Sequence, residues 1–132
     1  MLIDWTDEFE QMLRRLDERV ARGEEAARRF WEVLDAQLAT LQLLPAKPID
    51  DGKTLKRVRQ SRRYEVWRVS HVYTPGLAVR TIVWFPDAEH MVIALFANDK
   101  AAMSDVFYDS VGSRADQAIE QYVRARHTEE ER

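Results

Sequence analysis

The stretch YEVWRVSHVYTPGLAVRTIVWFPDAEHMVIALFA, residues 64–97, decides the fold. Its first ten residues alternate. Tyr64, Val66 and Arg68 face one way and Glu65, Trp67 and Val69 the other, as the two-residue side-chain period of a strand requires. Thr74, Pro75 and Gly76 then supply a turn, because proline presets one backbone angle and glycine accepts a positive φ. LAVRTIVWF, residues 77–85, is rich in β-branched and aromatic side chains and reads as a second strand. PDAEH, residues 86–90, makes the next turn. MVIALFA, residues 91–97, is apolar throughout, which places it inside the sheet with both faces covered.

Toward the N-terminus, MLIDW (1–5) is short and apolar and reads as a strand. TDEFEQMLRRLDERVARG (6–23) reads as a helix: Thr6 or Asp7 caps it, acids fill its first turn, and Gly23 ends it. Phe9, Met12, Leu13, Leu16 and Val20 recur on one face. EEAARRFWEVLDAQLATLQLL (24–44) is a second helix with the stripe Ala27, Phe30, Trp31, Leu34, Leu38 and Leu41, closed by Pro45 and Pro48. Two such helices form an α-hairpin whose apolar faces need a sheet to cover. KTLKRVRQSRR (53–63) is polar and basic and reads as a mobile lead-in.

Toward the C-terminus, NDKAAMSDVFYDSVG (98–112) reads as a loop and a short helix. SRADQAIEQYVRARH (113–127) is a last helix with Ala115, Ala118, Ile119 and either Tyr122 or Val123 inward, and TEEER (128–132) is a frayed tail. The expected order is β-α-α-β-β-β-α. This is an α+β fold in a single domain over 1–132, with a C-terminal helical extension over about 113–132.

The 132 residues are 45% apolar and 33% charged, a globular balance that excludes a disordered chain. No apolar run approaches the roughly 18–20 residues of a membrane span, and the acidic N-terminus does not read as a signal peptide. With no cysteine there are no disulfides, thiolate metal sites or cysteine nucleophiles, which fits a cytoplasmic location. The net charge of −3 hides a segregation. Residues 53–80 carry eight basic side chains and one acidic, against seven and twelve in 1–52 and five and ten in 81–132. A basic stripe attracts phosphate whatever the total charge, because only charges within about 8–10 Å act strongly. The alternative is that these arginines pair with the acidic helices around them.

Four stretches carry a resemblance to the RelE/ParE toxin superfamily of bacterial toxin–antitoxin systems, the HigB-like proteins included. DWTDEFEQMLRRL resembles that family's opening strand and first helix, and LATLQLLP the leucine-rich, proline-closed end of its second. TLKRVRQSRRYEVWRV resembles its approach to a strand bearing tyrosine and arginine. LAVRTIVWF with MVIALFANDKAAMSDVFY resembles the two strands that follow, over roughly residues 1–110 in all. The resemblance implies a small curved antiparallel sheet, two helices on one face and a concave opposite face. It implies a toxin that inhibits translation by ribosome-dependent mRNA cleavage, without metal or cofactor. A cognate antitoxin protein and mRNA on the ribosome would be its partners, membranes would not, and a homodimer is compatible with it. The alternative within the same family is a protein without nuclease activity, acting on a gyrase-type target or only binding an antitoxin.

Cleavage of this kind needs a base for the 2′-hydroxyl, cations for the phosphorane-like transition state and an acid for the leaving oxygen. Arginine suits the second task, since its fork matches phosphate oxygens and keeps its charge. Arg80 matches the family's strand arginine. Arg68 sits on the neighbouring strand, where two like charges are unfavourable without an anion. Glu65, the one acid of the basic stretch, is the candidate base, with charge balance for Arg62, Arg63 or Arg80 as its alternative. Lys100 and Tyr108 occupy the family's basic and aromatic exit positions, Phe107 being the other match for the aromatic. A histidine's ordinary pKa lies near neutrality, so His71 is a candidate acid or base. Lys53, Lys56, Arg57, Arg59, Arg62 and Arg63 are expected to position RNA phosphates, and Trp67 to stack on a base. His90 and His127 have no ligand spacing, so no metal site is expected. The other tryptophans read as core.

Overall fold

The structure, a computed structural model, describes residues 1–70, 76–99 and 106–130, the side chains of 106–109 and 130 excepted. Its elements are β1 (Leu2–Trp5), α1 (Asp7–Ala21), α2 (Glu25–Gln42), β2 (Leu55–Arg57), β3 (Val66–Ser70), β4 (Val79–Asp87), β5 (Met91–Asp99) and α3 (Val106–Glu130). The strands form one five-stranded sheet in the order β1-β5-β4-β3-β2.

Local chemistry sets the first half. Thr6 caps α1: its hydroxyl accepts the Phe9 amide at 3.1 Å and donates to the Leu95 carbonyl at 2.7 Å. One side chain thus starts the helix and ties it to β5. Gly23, at φ 82°, ends the α1 run in a conformation that costs other residues energy. Phe9 and Leu16 of α1 and Ala27 and Leu34 of α2 are buried against Ala94 and Ala97 of β5, with Met12, Leu13, Val20, Phe30, Trp31 and Leu38 half-buried around them, while Leu41 is buried farther along against Trp67 and Val83. A polar residue joins the α2 stripe. Gln37 is buried, donates to the Val79 carbonyl at 3.1 Å and accepts from the Thr81 hydroxyl at 2.7 Å, pinning α2 to β4.

Three expectations change. The sheet is mixed, not antiparallel: β1 runs parallel to β5, because the α1–α2 hairpin returns the chain to the far side of the sheet. The lead-in at 53–63 contains a strand. Leu55 is buried beneath α2 and the Thr54 carbonyl accepts the Ser70 amide at 2.7 Å, so β2 becomes an edge strand of the sheet. The third change concerns the face that was expected to be open and concave.

That face is covered by α3, one continuous helix of 25 residues through Gly112 and on to Glu130, where a short helix, a last helix and a frayed tail were expected. Val111, Ala115, Ala118 and Ile119 of α3 are buried against Val66, Ile82, Ile93, Leu95 and Phe96 of the sheet. Small residues let the helix sit close, and these inward positions match the sequence pattern. Polar contacts hold both flanks: Tyr122 donates to Asp4 of β1 at 2.6 Å, Ser61 donates to Asp116 at 2.8 Å, Arg63 pairs with Glu120, and Arg114 with Glu8. MVIALFA does lie inside the sheet, between β1 and β4, with Val92 through Ala97 all buried. Among the described residues no helix is long and apolar enough to cross a membrane.

Candidate nucleic-acid interface

Sheet pairing settles which side chains share a face. Lys56 of β2 lies opposite Arg68 of β3, Arg68 opposite Ile82 of β4, and Arg80 opposite both Ser70 of β3 and Asn98 of β5. Val66 and Ile82 point toward α3, so Arg68 and Arg80, two residues from each, point to that side as well. Lys56, Arg68, Ser70, Arg80 and Asn98 therefore form a polar band across four strands. It lies beyond Val111, the first buried α3 side chain among the described ones.

Arg68 and Arg80 are diagonal cross-strand neighbours, a spacing of about 7–8 Å that long side chains bridge easily. Both are half-buried. Arg80 donates through Nη1 to its neighbour's carbonyl, Val79 O, at 3.3 Å, and its Nε is buried with no hydrogen-bond partner among the described residues. A buried donor on a cation without an acceptor is costly, and an anion at this position would relieve it.

Beside the band is a depression of about 270 Å³ between β2 and α3, lined by Lys56, Arg59, Gln60, Arg68 and Val111 among others. Asp51 is the acid of this lining. Its carboxylate accepts the Arg57 amide at 2.8 Å and faces Arg59 at 3.4 Å. That amide, aided by Arg59, holds the Asp51 carboxyl below its ordinary range.

Arg114 of α3 was not singled out in the sequence. Its guanidinium lies 4.0 Å over the Phe96 ring, pairs with Glu8, and donates through Nη1 to Asn98 at 3.1 Å with the amide oriented to satisfy both of its atoms. It thus brings a further cation from α3 to the β5 end of the band. A lone arginine in a helical stretch gives no local signal of this; only the docking of α3 reveals it.

Glu65 is not part of the band. It follows the parity of Trp67 and faces away from Arg68. Its carboxylate contacts Lys47 and lies 3.8 Å from Arg57, so its partners are neither Arg62, Arg63 nor Arg80. As a base it is on the wrong side of the sheet. Trp67 is corrected too: it is 1% exposed, packed with Leu41, Leu55 and Val83 under α2, and has no ring face to offer a nucleobase. Trp5 departs from the core reading in the other direction, 38% exposed and stacked on Phe9 at 6.0 Å.

Lys53, Arg57, Arg59, Arg62 and Arg63 are exposed along the β2 side. Arg57, Arg59 and Arg63 each face a carboxylate, of Glu65, Asp51 and Glu120, so part of the basic stretch does balance the acidic flanks. His71, Lys100 and the side chains of Phe107 and Tyr108 lie outside the described residues. His90 pairs with Asp87 at 2.9 Å in the β4–β5 turn, far along the chain from the band. Among the described residues no group of three His, Cys, Asp or Glu side chains is placed to hold a metal ion.

Comparison of the chain with models of protein families, with curated proteins and with solved structures returns no match.

Proposed function

We propose that the chain is a toxin of a type II toxin–antitoxin system, of the RelE/ParE kind, that stops translation by cutting mRNA on the ribosome. The observation carrying this reading is the shared face of Lys56, Arg68 and Arg80. Three cations on adjacent strands concentrate positive potential on one face, which favours the approach of an anion. A phosphodiester backbone is the anion whose oxygens match guanidinium forks. In this reading Arg80 and Arg68 bind the scissile phosphate and hold charge as it develops, while Lys56, Arg59 and Arg114 position neighbouring phosphates. Glu65 has no share in the proton transfers.

A second reading is favoured by two specific observations, the placement of Glu65 and the helix across the sheet face. In it the protein keeps the toxin fold but acts by binding a protein target, gyrase-type or antitoxin alone, without cleavage.

Induced expression in a bacterial host separates the two. Wild type is run beside Arg80→Ala and Arg68→Ala, with mRNA 5′ ends mapped in each strain. Growth arrest with new cuts inside translated messages, lost in both variants, supports the nuclease. Arrest without cuts selects the protein-target reading. Absence of arrest from folded protein rejects the nuclease and the gyrase-type target, and leaves antitoxin binding alone.

A further inference from the structure

On the other side of the sheet, near the turn that joins α1 to α2, is a hollow of about 510 Å³. Its floor is apolar, made by Met12 and Leu16 of α1, Phe30 of α2, Leu77 and Ala97. Its rim carries three guanidinium side chains, Arg15 and Arg19 of α1 and Arg29 of α2. Asp99 is the carboxylate in the lining, and it accepts the Ala78 amide at 3.0 Å. Among the described residues the lining thus sets three guanidinium groups and one carboxylate around a greasy base.

This arrangement has a local cost. Arg15 and Arg19 are four residues apart on one helix face, a like-charge spacing that destabilises a helix by a few tenths of a kcal/mol. Arg19 is offset by Glu24 at 3.1 Å, whereas Arg15 has a 3.4 Å contact with the neutral Gln11. The volume falls in the range of about 300–1,000 Å³ typical of small-molecule sites, where an apolar lining supplies affinity and a few polar groups supply orientation. The opposite charge of the rim selects an anion, and the floor selects an apolar tail.

We propose that this hollow binds a small amphipathic anion, an apolar chain or ring carrying a carboxylate or sulfonate, with the tail on Phe30, Leu16 and Leu77 and the head group at Arg15, Arg19 and Arg29. The site lies across the sheet from Lys56, Arg68 and Arg80 and stands independently of the function proposed above.

The test is titration calorimetry of the full chain with sodium decanoate below its micelle threshold, with decanol as the uncharged twin. The expected result is saturable binding of one decanoate and at least tenfold weaker binding of decanol. The double variant Arg15→Gln/Arg19→Gln should weaken decanoate at least tenfold and leave decanol unchanged. Ala26→Trp, placed on the exposed face of α2 where Ala26 lines the hollow, should block both ligands without altering the circular dichroism spectrum. Equal binding of the two ligands, or decanoate binding indifferent to both variants, would reduce the effect to partition onto apolar surface and overturn the proposal. Concentration-dependent dimerisation that Ala26→Trp abolishes and decanoate does not compete with would give the hollow to a second copy instead, and also overturn it.

Discussion

Gly112 of α3 lies against the backbone of Gln60. A Cβ built on Gly112 would stand 2.3 Å from the Gln60 carbonyl oxygen and 2.8 Å from the Ser61 nitrogen. The glycine is therefore not a helix breaker. It is the point at which α3 docks on the loop leaving β2, and neither backbone can move away without lifting the helix off Val58, Val66 and Ile82. On helix propensity alone, Gly112→Ala would stabilise by about 1 kcal/mol. Overpacking against fixed backbone costs about 1–3 kcal/mol and reverses the sign. With the gain set against the cost, Gly112→Ala is expected to lower Tm by about 3–6 °C; a rise in Tm would show that α3 does not dock there.

The Tyr122–Asp4 bond ties the far end of α3 to β1 at 2.6 Å. Burial, reinforced by the Asp4 carboxylate, pushes the Tyr122 hydroxyl up to about 12 from an ordinary 10.0. The folded state thus holds this proton more tightly than the unfolded chain. The resulting stability is complete below pH 10 and is lost as pH rises from 10 through 12. The tyrosinate absorbance of wild type should include a component titrating near 12 that Tyr122→Phe removes. The variant should also flatten the loss of stability across that window.

His90 and Asp87 close the β4–β5 turn. The hydrogen bond that His90 donates to the Asp87 carboxylate raises the His90 pKa above 6.5, while the Glu89 amide, with His90, lowers that of Asp87. For a raised histidine the stabilising contribution is present below the unfolded value and fades as pH climbs through the folded one. Both side chains are exposed, so the effect is confined to the turn. Imidazole proton resonances of His90 should titrate above the ordinary value in wild type and return to it in Asp87→Asn.

Thr81→Val is expected to be more harmful than its near-equal volume suggests. It removes the donor to Gln37 Oε1 at 2.7 Å and leaves a buried amide oxygen without its partner. The expected cost is about 1–3 kcal/mol in urea unfolding, with an unchanged m-value. Gln37→Leu/Thr81→Val should recover part of it, because both polar groups are then gone from the interface.

Glu65→Gln separates the two roles once open to the residue. A general base contributes about 10²–10⁴-fold to a rate. On the nuclease reading proposed above, with its carboxylate held between Lys47 and Arg57 on the α2 side, the substitution should leave any mRNA cuts and growth arrest seen with wild type unchanged. Loss of cuts in correctly folded Glu65→Gln protein would restore Glu65 as the candidate base.

Periodicity and capping determined much of this protein. Phe9, Leu16, Ala27 and Leu34 on one side of the sheet and Ala115, Ala118 and Ile119 on the other were readable because a helix or strand exposes its period in the sequence of residues. The alternation around Arg68 likewise put Glu65 and Trp67 on the face opposite that arginine. Which of the two faces was buried under α2 was not written in that alternation, since swapping faces leaves the local pattern intact. Only packing decided it, and it took Trp67 into the core and Glu65 to Lys47.

The remaining features depend on contacts between residues distant in the chain. The parallel pairing of β1 with β5, the recruitment of Leu55 into an edge strand, and the approach of Gly112 to Gln60 each join segments whose local sequence says something weaker or opposite. Gly112 stands at the boundary between the two expected helices, where intrinsic propensity disfavours glycine, yet the helix runs through it in close contact with Gln60. The arginines were visible in the sequence from the start. Their gathering with Lys56 and Arg114 into one band was fixed by strand register and by the placement of α3, which no short stretch of the chain contains.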